Sequence, residues 1–136
     1  MPHQGKLDFD QLEIGFEFPA TRFQLEPAQV AKYIEAVEET APLFTESPLV
    51  PPSALAAYAQ TALLEHMELV PGTIHASQEL EFLGEVRVGE GVTSQAKVSR
   101  KQERGKMRIL NIDIDVSDSN GNLVMKGKNS FILPSD

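Results

Sequence analysis

Val50-Pro51-Pro52-Ser53-Ala54-Leu55-Ala56-Ala57-Tyr58-Ala59-Gln60-Thr61-Ala62-Leu63-Leu64, running on into Glu65-His66-Met67, is the stretch that sets the fold. Two prolines suit the entry of a helix, and Ser53 is placed to accept from the first orphan amides, so the spacing predicts a helix from about Pro52. From Ala54 onward only Gln60 and Thr61 interrupt the apolar run, whereas a surface helix carries a polar face as broad as its apolar one. Burial is therefore expected on almost every side, with Ala57 in the core. Alanines at 54, 56, 57, 59 and 62 keep the helix slim without loss of helix propensity.

Working outward toward the N-terminus, Leu12, Ile14, Phe16 and Phe18 alternate as on one face of a strand, and Thr21 to Leu25 reads as a short continuation. Pro27 opens a second helix in which Val30, Tyr33, Ile34 and Val37 form an amphipathic stripe. The segment from Thr40 to Pro52 holds four prolines and must be a loop, and an ordered loop of that length is often functional.

Beyond the central helix, which should end by Val70-Pro71-Gly72, the pattern turns to strands. Ile74, Ala76, Gln78, Leu80 and Phe82 share one parity, and Thr73, His75, Ser77, Glu79 and Glu81 take the other, which predicts one buried and one wet face. Val92, Ala96 and Val98 resume the alternation, and Gly105 turns the chain. Leu110, Ile112, Ile114 and Val116 then point inward against Asn111, Asp113 and Asp115. An Asn120-Gly121 pair marks a hairpin, and a last strand runs from about Leu123 to Leu133. The expected architecture is α+β: a curved antiparallel sheet wrapped around one Ala-rich helix, in a single domain spanning residues 1–136. Such a sheet leaves an open edge, so at least a dimer is expected.

With 12 Lys plus Arg against 20 Asp plus Glu, the net charge of −8 argues against nucleic-acid binding, because phosphates are repelled overall. The absence of cysteine removes disulfides, thiol nucleophiles and thiolate metal sites, and the three histidines show no ligand spacing, so no metal is expected. No signal-peptide core or membrane-length apolar run is present, which predicts a cytoplasmic protein without a membrane partner.

Several strings in order resemble the hot dog fold and, within it, the MaoC-like hydratase and dehydratase family. They are Leu12-Glu13-Ile14-Gly15 with Phe18, Tyr33-Ile34-Glu35-Ala36-Val37, Val50-Pro51-Pro52-Ser53, Pro71-Gly72-Thr73-Ile74-His75 with Gln78-Glu79-Leu80-Glu81-Phe82, and Val88-Gly89-Glu90. In catalytic members a signature resembling Gly-Asp-x-Asn-Pro-(Ile/Leu/Val)-His follows the first long helix, and its Asp and His hold the water that adds to or leaves an enoyl thioester. This chain reads Glu38-Glu39-Thr40-Ala41-Pro42-Leu43-Phe44 in that register. Glu39 stands for the Asp and Phe44 for the His, and a benzyl ring neither carries a proton nor accepts a hydrogen bond.

The resemblance thus implies the FAS1-like, N-terminal type of hot dog unit, which lacks the dyad and shapes the acyl tunnel beside a half that carries it. It implies an acyl-CoA or acyl carrier protein thioester as ligand, no further cofactor, and a homodimer or a heterodimer with a dyad-bearing paralogue as the assembly. Alternatives are an active homo-oligomeric hydratase with a rewired site, a hot dog thioesterase, and a nonenzymatic acyl-CoA sensor or scaffold.

Candidate residues follow. His75 reads either as a replacement base working with Glu39 or as a hydrogen-bonded strand histidine. The amides around Ser53, Ala54 and Leu55 can polarise a thioester carbonyl through the helix dipole, or can serve capping alone. Phe44, Leu49, Val50 and Tyr58 read as tunnel walls or as plain core. Lys97, Arg100, Lys101 and Arg104, with Lys106 and Arg108, gather six of the 12 basic residues in one hairpin. They read as a docking surface for coenzyme A phosphates or an acidic carrier protein, or as a solvated face.

Overall fold

In the computed structural model, residues 6–36 and 49–134 are described. Helix α1 (Pro27–Ala36) and helix α2 (Pro52–Leu64) accompany strands β1 (Thr21–Gln24), β2 (Ile74–Phe82), β3 (Gly91–Arg104), β4 (Met107–Ser117) and β5 (Leu123–Pro134). The strands form one antiparallel sheet in the order β1-β3-β4-β5-β2.

Alternation on the long strands comes out as read. Leu110, Ile112, Ile114 and Val116 are buried, as are Val92, Ala96 and Val98, and they pack with Ala54, Leu55, Ala56, Ala59 and Leu63 of α2 in one core. Helix α2 begins at Pro52 as expected, but it is not enclosed on all sides. Ser53, Ala57 and Thr61, spaced four apart on one stripe, are exposed. Ala57 is therefore a surface residue, whereas Ala54 and Ala59 have no exposure at all.

Two further expectations give way. Of Leu12 to Phe18 only the end pairs with the sheet, as a single bridge of Glu17 to Lys97 flanked by 2.9 Å bonds from Phe18 N–H to the Ala96 carbonyl and from Val98 N–H to the Phe16 carbonyl. Before it, a 3-10 turn at Phe9–Gln11, capped by Asp8, precedes a turn at Ile14-Gly15, where Gly15 has φ of 91°. Leu12 and Phe18 reach the core, but Ile14 is 64% exposed, because it sits in the turn that precedes the paired residues. On α1, Val30 is buried; Tyr33, Ile34 and Val37 lie outside the described side chains.

β2 departs most. A register shift between His75 and Ser77 places Ala76 in a bulge, so His75 faces Phe131 of the core side while Gln78, Leu80 and Phe82 oppose Asn129, Gly127 and Met125. Ile74 is thereby moved to the outer face with Ser77, Glu79 and Glu81. A strict period of two cannot register one inserted residue. Nor is one face of β2 buried, since all nine residues are exposed.

At the β4–β5 tip, the Asp118 carbonyl accepts from Gly121 N–H at 3.0 Å, and Gly121 adopts φ of 84°. Asn120-Gly121 is thus the latter half of a four-residue turn. The Asp118 side chain binds the Asn120 and Asn122 amides, both at 2.9 Å.

Candidate functional site

A mainly apolar recess of about 170 Å³ opens where α2 begins and β2 ends, walled by Leu49, Val50, Pro52, Leu55, Phe82 and Val86, with Gly84 and Glu85 completing its rim. The entry strand is fixed by a 2.8 Å bond from Val50 N–H to the Val86 carbonyl and by bridge pairing of Leu49 with Arg87. Of the residues expected at the site, Val50 and Leu55 line this recess. Tyr58 packs half-buried against the core and is not one of its walls.

Ser53 and Ala54 take other roles than read. Pro51 is the N-cap, no side chain caps the helix, and Ser53 falls inside the first turn, so its hydroxyl caps nothing. The amides of Ala54 and Leu55 both donate to the Pro51 carbonyl, at 2.9 and 3.2 Å. Ser53 is exposed, and its amide has no acceptor among the described residues. Of three expected free donors, one remains, next in sequence to the recess wall Pro52 and at the positive end of the helix dipole, although Ser53 is not itself a wall of the recess.

His75 stands at the far end of β2 from Phe82, about 20 Å away at roughly 3.3 Å per residue. Its Nε2 lies 3.0 Å from Asn129 Oδ1, and its ring stacks on Phe131. Glu39 and Phe44 lie outside the described residues.

The basic residues do not share one surface, and the bulge at Ser99 between Val98 and Arg100 decides which of them turns away: Lys97, Arg100 and Arg104 fall on the outer parity and Lys101 on the inner. Lys97, ahead of the bulge, faces outward beside Asp113. Arg100, beyond it, pairs with Asn111 and binds Gln102. Lys101 turns inward: its Nζ donates to the Leu12 carbonyl at 2.6 Å, meets Glu13 at 3.7 Å and lies 4.8 Å from the centroid of the Phe9 ring. Arg104 remains exposed at the hairpin tip.

Phe82, Val86 and Asn129 were not read as site or special residues. Asn129 carried a signal, as the one amide among Met125, Gly127, Phe131 and Leu133 at inward parity.

A curved five-stranded antiparallel sheet folded against one Ala-rich helix defines a hot dog protein, and solved structures agree. The R-hydratase PhaJ1 from Pseudomonas aeruginosa superposes with TM-score 0.78 at 16% identity, over 94% of this chain and 86% of that one. The (R)-hydratase from A. caviae involved in PHA biosynthesis gives 0.75 at 25% identity, over 90% and 98%. The HadBC (3R-hydroxyacyl-ACP dehydratase) complex from Mycobacterium tuberculosis gives 0.69 at 20%, over 88% and 96%. No curated protein sequence matches the chain. Residues 13–127 match the model of the FAS1-like, dehydratase domain region, and the chain belongs to that MaoC-like family. No helix among the described residues is long and apolar enough to cross a membrane.

Proposed function

We propose that this protein is an acyl-thioester-binding hot dog subunit that supplies no catalytic dyad and works beside a dyad-bearing MaoC-like paralogue. The paired enzyme is an (R)-specific enoyl-thioester hydratase or 3-hydroxyacyl dehydratase. One sequence observation carries the reading: in the register that the resemblance implies, Phe44 and Glu39 fall at the positions of the proton-handling His and Asp, and a phenyl ring cannot exchange a proton.

The recess between α2 and β2 supports the binding half of the proposal. Its mainly apolar walls suit a hydrocarbon chain, and the free Ser53 amide, one residue along from the wall Pro52, suits a thioester carbonyl, whose developing charge such a donor stabilises. His75 is too far along β2 to serve a thioester held there by the same chain. That one neighbour in fold, HadBC, is a dehydratase complex supports a partnered state.

The test is hydration of crotonyl-CoA by the purified chain, by a dyad-bearing paralogue from the same host, and by the two together. Turnover that needs the paralogue, and rises when this chain is added, is expected. Turnover by this chain alone, lost in Glu39→Gln or His75→Ala, overturns the proposal.

A further inference from the structure

β5 covers one edge of β2, and no strand among the described residues pairs with the other. An edge of this kind templates pairing with a further chain unless proline, lysine or a cover blunts it. β2 contains neither proline nor lysine, and it leaves Leu80 and Phe82 39% and 42% exposed.

Charge on the outer face indicates what that further chain must carry. Register places Glu17, Lys97, Asp113, Lys128 and Glu79 in one row across the sheet, and Asp115, Lys126 and Glu81 in the next. Signs alternate strictly along both rows, and each row ends at the free edge on a carboxylate. Opposite charges facing across strands stabilise a sheet, and like charges facing each other destabilise it. The position beyond each end therefore calls for a cation.

A second copy of this chain does not provide one. Antiparallel pairing of two β2 strands about a two-fold axis sets Glu79 against Glu79 when centred there, Glu79 against Glu81 when centred on Leu80, and Glu81 against itself when centred there. Centring on Gln78 avoids these clashes only by running the ladder through the Ala76 bulge. There His75 has turned to the inner face while Glu81, its opposite number, stays on the outer.

We infer that β2 pairs with the edge strand of a different hot dog chain. That strand presents Lys or Arg opposite Glu79 and Glu81, and apolar side chains over Leu80 and Phe82. The inference rests on the reading of this protein as a partner subunit and adds the chemistry that selects heteromeric over homomeric pairing.

Sedimentation velocity of the purified full chain, without thioester, tests it on the parent protein, Glu79→Lys, Glu81→Lys and the double variant. Pairing centred on Leu80 turns repulsion into attraction in each single variant, so each should self-associate about tenfold more tightly than the parent at low salt. The double variant, Lys against Lys, should fall back. Equal self-association of all four chains, whether weak or strong, overturns the inference, as does a parent that associates as tightly as the single variants. Because no ligand enters this measurement, failure here leaves the acyl-thioester reading standing. A correct charge pattern in a chain that binds no acyl-CoA fails that reading alone.

Discussion

Asn129, 1% exposed, accepts at Oδ1 from His75 Nε2–H at 3.0 Å across β2 and β5, while its own Nδ2 is buried with no partner among the described residues. The stacked Phe131 ring, centroid 4.8 Å from the imidazole, holds that geometry. Removing the imidazole leaves both ends of a buried amide unmet, at a cost of about 1–3 kcal/mol. His75→Leu should therefore lower the urea midpoint, and His75→Leu with Asn129→Leu should recover much of the loss, because the unmet polar atoms leave together. A double variant less stable than His75→Leu alone would show that the amide is satisfied in some other way.

Lys101 is a structural cation on the same reasoning. It joins the Leu12 carbonyl, the Glu13 carboxylate and the face of Phe9, and Arg108 lies 5.3 Å from that ring centroid as well. Lys101→Ala should cost about 1–2 kcal/mol, since a charged hydrogen bond and a cation–π contact are lost together. Arg104→Ala at the hairpin tip should stay within about 0.5 kcal/mol, as surface changes usually do. Chemical denaturation of both variants checks the contrast. If acyl-CoA affinity falls on Arg104→Glu or Lys97→Glu, measured at low salt, the hairpin also docks phosphates.

The fold was legible because its signals are periodic over long stretches. Leu110 to Val116 alternate without interruption, and Pro51-Pro52 punctuate the entry of α2, so strand and helix both came out where read. Single insertions were not legible. Ala76 and Ser99 look like ordinary strand residues, yet each reverses every face beyond it in one direction, which misplaced His75 and put Lys101 on the opposite face from Lys97. The recess was half legible for another reason. Val50 and Leu55 belong to the helix entry and could be read locally, but Phe82 joins them only through the pairing of β2 with β5, a nonlocal fact. An all-apolar run such as Ala54 to Ala62 likewise has no period from which to read the exposed stripe.

That stripe yields a contrast between two alanines two residues apart. Ala59 has no exposure and packs in the core between α2 and the sheet, while Ala57 faces out. Ala59→Asp places an unpaired carboxylate in an apolar interior and should prevent folding or cost several kcal/mol. Ala57→Asp should leave the isolated chain folded, with a change of about 0.5 kcal/mol. Circular dichroism melts of the two variants, side by side, decide it. Equal damage at both positions would mean that the exposed stripe is covered in the folded chain.

The ionisation of Asp118 is displaced downward. The Asn122 amide is the largest cause, joined by the Asn120 and Gly121 amides and the Asn122 side chain, all favouring the carboxylate. A carboxyl group whose folded pKa lies below its unfolded one contributes stability above the unfolded value, and loses it as pH falls through the folded value. The advantage of the parent over Asp118→Ala should thus be level from neutral pH down to the ordinary carboxylate range and shrink below it. Urea titrations of both proteins at stepped pH measure that difference. A stability gap that widened on acidification would mean that the turn holds the protonated side chain more tightly than the carboxylate, and the downward displacement would be refuted.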